Sequence, residues 1–101
     1  RSVHEEEDLL SFAKEIATEI IENTSAVSVS MTRHMLWKML GANHPMEAHQ
    51  VDSRAIYELG KGEDVKEGVN SFLEKRSPNF PSKVSKDMPD FFPWWDPKEF
   101  K

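Results

Sequence analysis

The chain has 101 residues, a formal net charge of −5, no cysteine, 38% hydrophobic and 31% charged residues. That length suits one domain, and the acidic balance argues against a general nucleic-acid or anionic-membrane binder. The missing cysteines exclude a disulfide framework, a Cys-based zinc site and a thiol nucleophile, and they suit a cytoplasmic protein. No apolar run approaches the roughly 20 residues of a membrane span, and the acidic start, Arg-Ser-Val-His-Glu-Glu-Glu-Asp, is the wrong chemistry for a signal peptide.

The pattern predicts an all-α chain of several amphipathic helices with an extended proline and aromatic tail. The first helix is expected from about Val3 to Asn23, with Ser2 and Glu5 as a capping box and an acidic run to Asp8 at the positive end of the helix dipole. Leu9, Phe12, Ala13, Ile16, Ala17, Ile20 and Ile21 form its apolar stripe. Asn23-Thr24-Ser25 breaks the pattern and offers a new N-cap. Ala26 to Met31 alternates apolar and polar, so a strand competes locally. A helix over Ser25–Leu40 accommodates that stretch and the helical spacing of Met35, Leu36, Met39 and Leu40, with Gly41 as its stop. Ser25, Ser28 and Ser30 have no paired base or nucleophile-elbow motif and serve close helix packing instead.

Pro45 suits the first position of a third helix running to Leu59, closed by Gly60 and Gly62. Its apolar residues fall on overlapping faces, which predicts burial on more than one side. His44 and His49 are five apart, so they do not share one helical face as a metal pair would, and the histidines are read as structural. Glu63 and Asp64 open a fourth helix whose apolar face is Val65, Val69, Phe72 and Leu73. Lys75 and Arg76 give it a basic end, and Pro78 stops it. After Phe80 the chain changes character. Pro81, Pro89, Pro93 and Pro97 punctuate a segment holding Phe91-Phe92-Pro93-Trp94-Trp95. Each large ring gains about 1.5–3 kcal/mol on burial, so the tail should wrap over this domain, another domain or another subunit; a peptide ligand for another protein is the alternative. The division is 1–80 for the helical domain and 81–101 for the tail.

The stretch from Asp64 to Phe80 resembles the closing signature of the enoyl-CoA hydratase/isomerase (crotonase) superfamily. The matching residues are Asp64, Glu67, Gly68, Phe72, Glu74, Lys75, Arg76, Pro78 and Phe80. Ala-Lys-Glu-Ile-Ala, Asn-Thr-Ser-Ala-Val-Ser-Val and the Pro45–Leu59 helix resemble the helices that precede it, so the resemblance spans about residues 5–80. It covers only the family's C-terminal helical part. In such enzymes an N-terminal spiral core carries the oxyanion-hole N–H groups and the acid/base carboxylates, and C-terminal helices build a trimer.

The resemblance therefore implies an assisting role: a partner catalytic core upstream in the same protein, self-association with trimer favoured, and closure of a CoA/acyl site. Lys75, with Arg76 beside it, falls at the position near the CoA phosphates, and Phe72 and Ile56 fall at acyl-wall positions. A plain helix-end charge pair is the competing reading for Lys75 and Arg76. No residue is assigned to catalysis, to a metal or to a cofactor; acyl-CoA enters as the substrate of the whole enzyme, and the 101-residue chain alone is expected to be inactive. The alternative function is a free-standing helical interaction module with an aromatic docking tail.

Overall fold

In the computed structural model, which describes residues 2–100, four helices follow one another: α1 (Glu6–Asn23), α2 (Ala26–Met39), α3 (Pro45–Leu59) and α4 (Glu63–Leu73). From Glu74 to Phe100 the chain forms turns and irregular segments with no further helix or strand. The alternating stretch at the start of α2 is therefore helical, as the longer periodicity requires.

The start of α1 differs from expectation. Glu5, not Ser2, is its N-cap, and no side chain caps it. The Ser2 hydroxyl instead bonds the His4 ring at 2.6 Å, and that ring stacks on Phe12 at 3.6 Å between centroids. Residues 2–5 thus remain outside the helix, and the acidic first turn of Glu6, Glu7 and Asp8 supplies the favourable charge at its start. At the other end side chains take up orphan carbonyls: Thr24 Oγ1 donates to Ile20 O at 2.5 Å and Asn23 Nδ2 to Glu19 O at 2.9 Å.

Ser25 caps α2 by accepting from the Ser28 N–H. His44 caps α3: its Nδ1 accepts from Met46 N at 3.0 Å, while Glu47 reaches back to Asn43 N at 3.1 Å. This reciprocal pair is a capping-box variant built on an imidazole, with Pro45 inside the first turn. At the far end of α3, a Cβ on Gly60 would lie 2.8 Å from the Ile56 carbonyl oxygen, so the turn into α4 requires glycine there.

The core is small and sits where α2 packs along α3. Val27 and Met31 of α2, 1% and 2% exposed, and Val51 and Ala55 of α3 are its buried apolar residues. Each pair is spaced i, i+4, the interval at which side chains share a helix face. The expectation that α3 is buried on several sides does not hold, because Met46, Ile56 and Tyr57 are exposed. α1 buries no residue at all, and its predicted stripe is open from Leu9 to Ile21.

The tail lies back on the helices. Phe80 covers Gly68 of α4, whose Cβ position is 3.6 Å from the Phe80 ring. Farther on, Phe92 and Trp95 pack around His34 of α2 at 5.0 and 5.3 Å between centroids. Lys38 stands over the Trp95 ring at 4.3 Å and Arg54 over Phe91 at 4.5 Å, both within cation–π range. Phe91, Phe92, Trp94 and Trp95 are consequently half-buried and Pro89 is buried.

The whole remains open. The radius of gyration is 16.7 Å, against about 13 Å for a compact domain of this length. Accessible surface is 8638 Å², against about 5,900 Å² expected for a folded monomer of 11.7 kDa. Among the described residues, no helix is long and apolar enough to cross a membrane.

Candidate functional site

The family-like signature lies at the C-terminal end of α4 and in the segment that returns along it. α4 stops earlier than predicted, at Leu73, and Lys75 and Arg76 lie beyond it. Glu74 is the C-cap; Lys75 N donates to Phe72 O at 3.3 Å and Arg76 N to Ser71 O at 3.0 Å. Those two bonds are the paired closure of a Schellman motif. The motif needs a left-handed residue after the cap, a place usually taken by glycine. Here it is Lys75, with φ of 53°.

Arg76 is heavily committed. Its Nη1 and Nη2 donate to Glu67 Oε1 and Oε2 at 2.6 and 2.9 Å, and its Nε donates to Glu74 Oε2 at 2.6 Å. Glu67 also accepts from Asn79 N at 2.6 Å. A planar guanidinium meeting both oxygens of one carboxylate is the strong form of an ion pair. Hydrogen bonds from Arg76, and next from the Asn79 N–H, hold the Glu67 carboxyl down to about 2 from an ordinary 4.5. The same contacts, Glu67 first and Glu74 second, raise Arg76 above its ordinary value. The expectation that this basic pair answers the last carbonyls of α4 is met only by the backbone. The Arg76 side chain binds carboxylates, with one longer bond to Ser77 O at 3.2 Å.

One turn earlier, Asp64 repeats the arrangement. Its Oδ1 accepts from Ser82 N at 2.9 Å, and its Oδ2 is buried with no hydrogen bond of ordinary geometry. Burial works to raise the Asp64 pKa, but bonding from the Ser25 hydroxyl and from Ser82 outweighs it and leaves the group lowered. Asp64 and Glu67, spaced i, i+3, thus grip the returning segment at two points while Phe80 covers Gly68 between them. The signature residues Asp64, Glu67, Gly68, Arg76 and Phe80 form one local clasp. Sequence reasoning placed Glu63 and Asp64 at the start of the helix, read Glu67 only as part of the family-like signature, and missed the clasp, although a glutamate and an arginine nine apart across a helix stop carried the signal.

The four residues expected at a CoA/acyl site are all solvent-exposed. Arg76 is in the clasp. Lys75 is exposed and pairs with no carboxylate among the described residues. Phe72 is 82% exposed and Ile56 66% exposed. A cleft of about 640 Å³ lies elsewhere, between the start of α2, the α3–α4 turn and the tail; Val27, Asp64, Phe80 and Met88 are among its lining residues. Its half-buried carboxylate, Asp64, has a pKa lowered from its ordinary value, the opposite of the raised value a general base near neutral pH needs. Among the described residues no cluster of three or more His, Asp or Glu side chains is arranged to hold a metal.

Comparison with known proteins bears directly on the signature. Residues 1–83 match the family described as Enoyl-CoA hydratase/isomerase. An enoyl-CoA hydratase of Alternaria alternata is 41% identical over 68 residues, which are 67% of this chain and 22% of that protein. A second from the same organism is 38% identical over 79 residues, 78% of this chain and 26% of the relative. The methylmalonyl-CoA decarboxylase of Escherichia coli is 35% identical over 83 residues, 77% of this chain and 30% of that enzyme. The chain spans about a quarter of the length of these curated relatives. With the clasp residues inside the matched region and all four helices covered, the chain belongs to the enoyl-CoA hydratase/isomerase family.

Proposed function

We propose that this chain acts as the C-terminal helical part of an enzyme that adds water across the double bond of a 2-enoyl-CoA thioester. In that reading the upstream spiral core supplies the oxyanion-hole N–H groups that stabilise the enolate and the glutamates that move protons. The helices described here join subunits, with a trimer favoured, and close the CoA/acyl end of the site. Lys75 meets the CoA phosphates as a flexible point charge, and Phe72 and Ile56 supply dry wall for the acyl chain. Arg76 takes part through its neighbour. Acyl-CoA is the substrate and no cofactor is invoked. Residence in the cytoplasm belongs to the same reading, supported by a sequence free of cysteine.

The observation that carries the reading is the uncovered apolar surface of α1 and α4. Leu9, Leu10, Ile21, Val69, Phe72 and Leu73 are all more than half exposed. A helix with a strong apolar stripe and nothing on it is unfinished structure, and a core domain or a second subunit completes it. The named activity of the Alternaria relatives supports hydration over other reactions. A relative named for another thioester reaction, methylmalonyl-CoA decarboxylase, shares this region, which supports a reading in which the chemistry is chosen in the core.

The test uses the full-length protein. Hydration of crotonyl-CoA is the expected activity. Ile16→Asp with Ile20→Asp, on the open α1 stripe, should convert the assembly to smaller species in sedimentation. A full-length protein that neither hydrates enoyl-CoA thioesters nor changes assembly with these substitutions would defeat the reading.

A further inference from the structure

Two cations follow α4, and their situations differ. Arg76 is neutralised by Glu67 and Glu74, whereas Lys75 has no carboxylate partner among the described residues. Lys75 also occupies a left-handed backbone position that a side chain disfavours. A strained conformation persists only where its surroundings over-determine it. The surroundings here are specific. The residue after Lys75 is held by both oxygens of Glu67, and Asn79 is held by the same carboxylate. The residue before it, Glu74, binds the Arg76 Nε. The left-handed turn is thus fixed on both sides by bonds made by its neighbours and by none made by the Lys75 side chain.

Resting on the reading that Lys75 meets CoA phosphate, we propose that the Glu67–Arg76 clasp is the positioning device for that lysine. Glu67 and Arg76 touch no substrate. They hold the turn from which the Lys75 ammonium is presented, so that recognition of the phosphate end of CoA depends on a carboxylate two helical turns away in sequence. Asp64 and Ser82 extend the same grip along the returning segment.

Charge and position give opposite signs, which makes the proposal testable. Removing the negative charge of Glu67 near a phosphate site should tighten CoA binding if the effect were only Coulombic. Loosening the turn should weaken it.

The experiment measures KM and kcat of the full-length protein for a 2-enoyl-CoA and for the matching pantetheine thioester, which lacks the nucleotide phosphates. Lys75→Ala tests the underlying reading and should raise KM for the CoA substrate roughly 5- to 30-fold, leaving the pantetheine KM in place. Glu67→Gln should raise the CoA KM in the same direction with little change in kcat, and should add nothing to the CoA-to-pantetheine ratio in the Lys75→Ala background, the signature of residues acting as one unit. Arg76→Lys, which keeps the charge and loses the two-oxygen fork, is the second variant and should act like Glu67→Gln. If Lys75→Ala moves the ratio while Glu67→Gln and Arg76→Lys leave it unchanged, tighten CoA, or impair both substrates equally, the positioning role is overturned and the lysine reading stands. If Lys75→Ala leaves the ratio flat, the phosphate reading falls and takes the positioning role with it.

Discussion

A lysine in a left-handed conformation is the clearest residue-scale statement in the chain. An L-residue with a side chain is disfavoured there by roughly 1–2 kcal/mol, and alanine shares that penalty, whereas glycine does not. Lys75→Gly should therefore stabilise the chain by roughly 1 kcal/mol in chemical denaturation, and Lys75→Ala should give no such gain. Equal stability of the two variants would show that the turn carries no strain. Glu67 makes a separate prediction through its protonation. Its folded pKa, about 2, lies below its ordinary 4.5. A depressed carboxylate contributes stability that is fully present above about pH 4.5 and is lost as pH falls toward 2. Acid unfolding of Glu67→Gln should be flatter across that window than acid unfolding of the native sequence. Parallel curves would mean that the clasp carboxylate is no better bonded in the folded chain than in the unfolded one.

At the scale of the elements, the four helices divide into a packed pair and two unfinished ones. α2 and α3 hold the core, so Met31→Ala should cost about 2–5 kcal/mol, the usual range for emptying a buried site of that size. α1 presents Leu9, Ile20 and Ile21 to solvent. Ile20→Ser should leave unfolding of the 101-residue chain nearly unchanged at low concentration, where only its own packing counts. A loss comparable to that of Met31→Ala would reveal that α1 is part of the intramolecular core. α4 is intermediate. Its outward face is open at Val69, Phe72 and Leu73, and its inward side is held by the returning segment through Asp64, Glu67 and Gly68.

For the whole molecule, the excess of accessible surface over a compact monomer is the governing quantity. It is comparable with the area that obligate subunit interfaces remove from water. The isolated chain should therefore self-associate at micromolar concentration, with dimers or trimers in sedimentation or light scattering. A clean monomer with a cooperative thermal transition would show that the helices close on themselves in solution. The same chain should not hydrate crotonyl-CoA alone. Its cleft gathers a carboxylate held ionised, and its predicted acyl-wall residues stand in the open. Turnover by a preparation free of contaminating enzyme would refute this.

Periodicity and stop signals by themselves determined most of the helical plan. Pro45 and Leu59 bound α3 as read, Ser25 caps α2, and Glu63 opens α4, because caps and breakers act within a few residues of the backbone they serve. The family was also legible, since its signature is a matter of order along the chain. Pairing across distance was not. Nothing in the helical periodicity says that Arg76 turns back to both oxygens of Glu67 beside a left-handed Lys75, or that Asp64 takes the Ser82 N–H eighteen residues on. Nor does periodicity say which apolar stripe finds a partner: α1 and α3 both carry one, yet only α3 has α2 against it. Those outcomes depend on which groups meet after the chain folds back, and only the tertiary structure decides that competition between surfaces of similar local appeal.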